Sequence, residues 1–218
     1  MIKDYPPNKI VKWIAANIVE RWVLRHFSSI KFIGDLDVSK DCSCLMLMNH
    51  YSYNDGAILH RVCRSILKKE FKAMSVESQL KIFPLLKYVG CFPIDRKSRK
   101  MIESLNYAAG LLRDPSIMLG LYPQAGMYSM HLNKIHFGSG LNYIFKRIKE
   151  TPLQVFFGVT LLDYLENFKP VARVYFMEYK GINEVEEMEK AYNQFYAECK
   201  RKQQHLFNPP ERVIDEVK

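Results

Sequence analysis

Two kinds of spacing govern the apolar residues of this chain. Short apolar runs bounded by polar residues predict strands at 30–33, 45–48, 71–76, 117–122, 153–161 and 171–179, with 90–96 as a further strand or loop. Apolar residues at helical spacing predict helices at 55–69, 77–88 with a break near Pro84, 98–113, 140–149 and 184–203. Strands that alternate with helices are typical of an α/β fold, so we expect a mostly parallel central sheet flanked by helices.

A further helix is predicted near the N-terminus. Its apolar residues at positions 10, 11, 14, 15, 18 and 22 share one face, basic residues flank that face, and Trp13 and Trp22 are placed to lie near lipid headgroups. Charged residues interrupt the apolar stretch and no signal-peptide cleavage site follows it, so neither a membrane span nor a leader is predicted. The pattern fits an amphipathic helix lying in a membrane surface and a helix packed on the core equally well.

The length of the chain limits the number of domains. A chain of 218 residues is long enough for one domain with a substantial core, whereas two independent domains would be small. No low-complexity or Gly/Ser-rich linker interrupts it. We therefore predict an amphipathic helix for membrane association within residues 1–26 and a single α/β domain over residues 27–218.

The net charge indicates an anionic partner. There are 32 Lys and Arg residues against 23 Asp and Glu residues, which gives a net charge of +9. A phosphorylated small molecule or a membrane surface fits this charge better than nucleic acid, because the basic residues are scattered and no RNA-binding or zinc-finger signature is present. The five cysteines form no CxxC pair, which favours reduced thiols and predicts no metal site.

The predicted strand at 45–48 ends in a polar segment that carries candidate chemistry. His50 and Asp55 follow this strand and precede a helix, at the kind of strand end where α/β proteins place reactive groups. If His50 lies in the loop before the helix, its ring can fold back onto Asp55, and the carboxylate can then orient the imidazole as a general base. The alternative is a plain turn in which Asp55 caps the helix and His50 is a hydrogen-bonded structural residue.

Two sequence blocks resemble a known family. Residues 49–55, Asn-His-Tyr-Ser-Tyr-Asn-Asp, match the N-H-x4-D block of the lysophosphatidate (1-acylglycerol-3-phosphate) acyltransferase-like glycerolipid acyltransferases, and residues 90–96, Gly-Cys-Phe-Pro-Ile-Asp-Arg, resemble their G-x-F-P-x-D-R block. The resemblance extends over most of residues 27–179. It implies the glycerolipid-acyltransferase-like α/β fold, with His50 as general base, Asp55 as its orienter, and Asn49, Gly90 and Arg96 in substrate binding.

The resemblance also implies the reaction and its setting. A fatty acyl group would pass from acyl-CoA or acyl carrier protein to an acceptor hydroxyl of a lipid or lysophospholipid, without a metal, another cofactor or a covalent acyl-enzyme. The expected partners are the acyl donor, the lipid acceptor and a membrane surface, with no nucleic acid. The implied location is peripheral, on the cytoplasmic face of the inner membrane, and this context favours the membrane-surface interpretation of the N-terminal helix.

The third block departs from the family pattern. Where the family has F-P-E-G-T-R-S, this chain has Tyr-Pro-Gln-Ala-Gly-Met-Tyr-Ser at 122–129, and a Pro-Gln pair here resembles small acyltransferase-like proteins of Bacteroidetes-type bacteria. We still expect substrate binding by four residues of this block: Pro123, Gln124, Ala125 and Gly126. Methionine at 127 replaces the arginine that helps the family hold an acceptor phosphate, and methionine offers no planar fork of donors.

The altered third block leaves other functions open. One alternative is an acyltransferase for a non-glycerolipid acceptor, such as an amino-acid lipid or a pigment, and another is a non-catalytic lipid-binding relative. A hydrolase that uses Ser52 or Ser129 as its nucleophile is disfavoured, because the chain contains no G-x-S-x-G segment.

Overall fold

The computed structural model describes residues 8–95 and 100–206. In chain order the elements are α1 (Lys9–Leu24), β1 (Ser29–Ile33), β2 (Ser43–Met48), α2 (Asp55–Val62), β3 (Glu70–Val76), α3 (Glu77–Ile82), α4 (Leu85–Tyr88), β4 (Cys91–Ile94), α5 (Lys100–Leu111), β5 (Ile117–Leu121), α6 (Gly140–Phe145), β6 (Leu153–Asp163), β7 (Val171–Tyr179) and α7 (Val185–His205). A π-helical turn continues α2 over Cys63–Leu67. Each predicted strand and helix is present, and the break predicted near Pro84 separates α3 from α4.

The strands form one sheet in the order β1-β7-β6-β2-β5-β3-β4. Neighbouring strands in this sheet are parallel except for β6 and β7, so the mostly parallel sheet predicted from the sequence is confirmed. Strands β2 to β6 therefore end at one edge of the sheet, and β1 and β7 begin there. Because β2 and β5 are hydrogen-bonded neighbours, the segments that follow them lie side by side at this edge.

The central strand β2 explains the apolar run that precedes the polar segment. All of its residues are buried. Leu45 and Leu47 face the core packed by α5, α6 and α7, whereas Met46 and Met48 face the core packed by α2. A strand covered on both faces must be apolar at every position, so the usual alternation of apolar and polar residues is absent here.

The N-terminal helix α1 has a buried side and an exposed apolar side. Ala15, Ala16, Glu20 and Val23 are buried, and the helix packs against α2 and α4. The opposite side exposes large apolar residues: Ile10, Val11, Trp13, Ile14, Ile18 and Trp22. The sequence pattern placed Ala15 on the same face as the exposed apolar residues, and this prediction was wrong. Ala15 lies on the buried side, where small residues let the helix approach the core closely. The predicted boundary at residue 26 falls between α1 and β1. No helix within the two described ranges is long and apolar enough to cross a membrane.

A buried hydrogen bond between side chains joins α1 to α2. His60 Nδ1 lies 2.7 Å from Glu20 Oε1, and the Arg64 and Arg61 guanidinium groups lie within 4 Å of the other carboxylate oxygen. Burial raises the pKa of Glu20, but the hydrogen bond to His60 and the surrounding positive charges outweigh it and lower the pKa below 4.5. The carboxylate therefore stabilises the fold above its ordinary pKa, and this stabilisation is lost as the pH falls through the lowered value.

We expect Glu20→Gln to lower the free energy of unfolding by about 2 kcal/mol near neutral pH, because it leaves His60 without its charged partner. The difference from the wild type should shrink on acidification, since the wild-type carboxylate is then protonated as well. Urea unfolding at neutral and acidic pH measures both effects. Glu198→Gln is the matched control, because Glu198 pairs with Lys202 on the exposed surface of α7. A Glu20→Gln effect no larger than that of the control would contradict the assignment.

Gly90 is required by the backbone where α4 leads into β4. Its φ is +107°, and a Cβ atom at this position would lie 2.0 Å from the carbonyl oxygen of Phe71. We expect Gly90→Ala to destabilise the protein by about 3 kcal/mol or more, because neither the backbone angle nor the contact tolerates a side chain. Gly110→Ala in α5 is the control, since its Cβ would meet nothing within 4 Å. Equal denaturation midpoints for the two variants would show that Gly90 is not under this constraint.

Candidate active site

The loop after β2 is fixed to the neighbouring strand β6. The Asn49 side chain donates a hydrogen bond of 2.9 Å to the carbonyl oxygen of Thr160 and accepts one of 2.8 Å from the Thr160 N–H. Asn49 is buried, so these two bonds satisfy an amide that water cannot reach. They hold the start of the loop, and therefore the backbone of His50, against the sheet edge.

The ring of His50 folds back onto Asp55, as the sequence predicted. His50 Nδ1 lies 2.8 Å from Asp55 Oδ2, and the same oxygen accepts the backbone N–H groups of Tyr51 and Ser52 at 2.8 and 2.9 Å. The Asp55 side chain is fully buried, while that of His50 is 20% exposed. Because a carboxylate can only accept, Nδ1 carries the proton in this hydrogen bond, and in the neutral imidazole Nε2 is then the nitrogen without a proton.

The segment after β5 holds His50 from the other side. Gln124 Oε1 accepts the His50 N–H at 2.6 Å, and the Tyr128 N–H donates to the His50 carbonyl oxygen at 3.0 Å. The ring of Tyr122 stacks on the imidazole, with centroids 4.1 Å apart and an angle of 16° between the planes. Both backbone groups of His50 and one face of its ring are thus fixed, so the ring is oriented before any substrate binds.

The buried groups around the imidazole do not compete with it for a proton. Burial, together with the nearby Asp55 carboxylate, raises the pKa of the Tyr51 and Tyr122 phenols. Burial also raises the pKa of the Cys91 thiol to about 12. These groups keep their protons near neutral pH, so Cys91 is a poor nucleophile.

Neither candidate serine is paired with His50. The Ser52 hydroxyl accepts the Asn54 N–H, and the Ser129 hydroxyl accepts the His131 N–H, each within a turn. No described hydrogen bond joins either hydroxyl to the imidazole, although a serine nucleophile needs a base within hydrogen-bonding distance. The geometry therefore does not support the hydrolase alternative.

A largely apolar cavity of about 210 Å³ opens beside His50. Val19 and Val23 of α1 line it on one side, and Leu105, Leu141 and Ile144 line it on the opposite side. No Lys, Arg, Asp or Glu of the described residues contributes to its wall. The cavity therefore suits an aliphatic group, and the histidine is placed where the polar end of such a group would lie.

The predicted substrate-binding residues divide into three sets. Pro123, Ala125 and Gly126 line the cavity, as does His50. Asn49, Gly90 and Gln124 do not line it; Asn49 and Gln124 form hydrogen bonds that hold the loop of His50, and Gly90 allows the backbone turn before β4. Arg96 lies outside the described residues, as does Ser98, the first residue of the helix predicted at 98–113.

A comparison with known families identifies the class of the protein. A family model described as Acyltransferase matches residues 29–153, which is more than half of the chain. The chain belongs to this acyltransferase family. This acyltransferase also has a fold similar to that in the crystal structure of the 1-acyl-sn-glycerophosphate (LPA) acyltransferase PlsC from Thermotoga maritima, with a TM-score of 0.55, 14% identity, and coverage of 94% of this chain and 85% of that chain. At this identity the similarity concerns the fold. No curated protein matches the sequence.

Two features of the acyltransferase site were not predicted from its sequence motifs. The stacking of Tyr122 on His50 could have been inferred only from the pairing of β2 with β5, which places Leu47 beside Leu121. The left-handed φ of +54° at Ala125 could have been suspected, because the family pattern has glycine at this position.

Proposed function

We propose that this acyltransferase moves a fatty acyl group from a thioester of coenzyme A or acyl carrier protein to the hydroxyl of a lipid or lysophospholipid acceptor. The observation that carries the proposal is the hydrogen bond of 2.8 Å between His50 Nδ1 and a fully buried Asp55, at the edge of an apolar cavity. A thioester is already activated, so the protein has to deprotonate the acceptor and align it with the donor.

The proposed step begins when His50 Nε2 takes the proton of the acceptor hydroxyl. The oxygen then attacks the thioester carbonyl carbon, and a tetrahedral intermediate forms. When the intermediate collapses, the carbon–sulfur bond breaks, and the leaving thiolate receives the proton from the imidazolium. Asp55 stabilises the imidazolium between these two transfers, and the thiol and the acylated acceptor leave with His50 in its starting state.

The cavity supports a fatty acyl donor. Its wall is largely apolar and contains no Lys, Arg, Asp or Glu among the described residues. Burying an alkyl chain there is favourable by about 0.8 kcal/mol for each methylene group. A small polar acyl group would gain little from the same wall.

Two classes of lipid are candidates for the acceptor. A lysophospholipid is the first, since the first two blocks of the sequence resemble those of lysophosphatidate acyltransferases. A hydroxyl- or amine-bearing lipid without a phosphate is the second, and Met127 favours it. Met127 is 43% exposed at the position where the family has a phosphate-binding arginine, and no Lys or Arg of the described residues lines the cavity.

Helix α1 supports association with a membrane surface. Its exposed apolar side continues onto the turn between α3 and α4, where Trp22 lies 6.1 Å from Phe83, ring centroid to centroid, and Ile82 is 69% exposed. Arg21 and Arg25 lie at the same end of the helix, as expected for a helix that meets anionic lipid. We propose a peripheral location on the cytoplasmic face of the inner membrane.

Thiol release from long-chain acyl-CoA and acyl carrier protein, measured with a panel of acceptors, tests the proposal. Transfer to lysophosphatidate supports the first acceptor class, and transfer restricted to acceptors without a phosphate supports the second. Absence of thiol release with every donor and acceptor would favour the non-catalytic lipid-binding alternative and contradict the proposal.

Membrane association is tested with Ile14→Ser, which changes the exposed side of α1 and leaves its buried side intact. Deletion of α1 is less informative, because it would also remove the partner of His60. Weaker sedimentation of Ile14→Ser with anionic vesicles supports the proposed role of α1. Unchanged sedimentation would limit α1 to its packing role.

A further inference from the structure

The loop between β6 and β7 projects from the edge of the sheet that carries His50. Met48, the last residue of β2, is in register with Gly158, and β6 continues beyond this point to Asp163. At the usual rise of a strand this extension is about 16 Å. The 164–169 loop therefore lies further out on the active-site side than the end of β2.

This loop exposes large apolar side chains. Tyr164 is 59% exposed, Leu165 is 54% exposed, and Phe168 is 104% exposed. Leu165 also adopts a left-handed φ of +46°, which a non-glycine residue seldom does. Exposed apolar side chains grouped in this way on a projecting loop are typical of a surface that binds another protein or a membrane.

Hydrogen bonds tie the 164–169 loop to the end of α1. Lys169 Nζ donates to the carbonyl oxygen of Arg25 at 2.9 Å, and the Ser28 hydroxyl donates to Asn167 Oδ1 at 3.2 Å. The Arg25 guanidinium lies over the ring of Trp22, 5.9 Å from its centroid. The loop is thereby held beside the exposed apolar side of α1.

The charges around this junction match an anionic surface. Arg21, Arg25 and Lys169 are exposed, and Glu166 is the exposed acidic residue of the loop. The net local charge is positive, and the whole chain carries +9. Aromatic and aliphatic side chains flanked by Lys and Arg are the combination that binds the interface of a bilayer containing anionic lipids.

We infer that the 164–169 loop is a second membrane contact, which inserts Leu165 and Phe168 into the interface of an anionic phospholipid bilayer beside α1. Two contacts at one end of the molecule fix its rotation on the membrane, whereas a single helix leaves the protein free to turn about the helix axis. The edge that carries His50 would then face the bilayer, where a lipid acceptor enters. The inference deepens the proposed function, and vesicle binding tests it without turnover.

The test is sedimentation with vesicles of phosphatidylcholine, with and without phosphatidylglycerol. We expect Leu165→Asn/Phe168→Ser to weaken binding to the anionic vesicles about tenfold or more, because both inserted side chains are lost. Ile182→Ser is the matched control, since Ile182 is 60% exposed beyond the end of β7, at the opposite edge of the sheet. The control should bind within about twofold of the wild type. Thermal unfolding verifies that both variants are folded.

The inference would be overturned if the double variant bound vesicles as well as the wild type in the same assay in which Ile14→Ser binds weakly. In that case α1 would remain as the membrane contact. Transfer between water-soluble short-chain substrates separates this outcome from a failure of the proposed function. The double variant should retain wild-type rates in that assay, and loss of these rates would mean that the loop acts on the site and not on the membrane. Absence of transfer by the wild type would contradict the proposed function, while the vesicle result would still decide the role of the loop.

Discussion

Replacing His50 with alanine is expected to lower the rate of acyl transfer about 10²- to 10⁴-fold, the usual contribution of a general base. The neighbouring Tyr51, Tyr122 and Cys91 side chains do not replace the imidazole near neutral pH, because burial raises their pKa. The loss should appear mainly in kcat, since the cavity that holds the acyl chain is unchanged.

The controls separate catalysis from folding. His205→Ala removes an exposed histidine from the last turn of α7 and should retain wild-type activity. The denaturation midpoint of His50→Ala should stay close to that of the wild type, because the His50 side chain is partly exposed and its backbone bonds remain. Wild-type turnover by a folded His50→Ala variant would exclude the proposed mechanism.

The second large effect is expected for Asp55→Asn. The amide keeps the shape of the side chain, and its oxygen can still accept from His50 Nδ1 and from the backbone of Tyr51 and Ser52. It carries no charge, so the imidazolium formed during transfer loses its stabilising partner. We expect kcat to fall about 10²-fold or more with little change in KM.

Asp114→Asn is the control for Asp55, because Asp114 is exposed and its carboxylate accepts the N–H of the nearby Ser116 within a turn. It should leave the rate of transfer unchanged. A double variant that lacks both His50 and Asp55 should be scarcely slower than His50→Ala alone, since residues that act as a unit are not additive. Fully additive losses would show that Asp55 has a function independent of the histidine.

The fold could be predicted from the sequence because the pattern that indicates each strand or helix lies within a short segment of the chain. The apolar run at 45–48 is explained by a strand covered on both faces, and the helices carry their apolar residues at the expected spacing. The approach of His50 to Asp55 was also predictable, since both lie within one strand-to-helix connection. Such short-range features depend on few assumptions about the rest of the chain.

The remaining features of the site depend on strand order, which the sequence does not state. Gln124 was expected to bind substrate, and the structure places it against the His50 N–H, because β5 pairs with β2. The two alternatives for α1 also could not be separated by pattern alone. A helix can bury small residues on one side and expose large apolar residues on the other, and Ala15 shows where the two sides divide.

The most direct test of the central claim is to count products with a labelled acyl donor. The account predicts one acylated acceptor for each thiol released, with thiol release that depends on the acceptor. Thiol release at the same rate without an acceptor, with free fatty acid as the labelled product, would contradict it and identify the protein as a hydrolase.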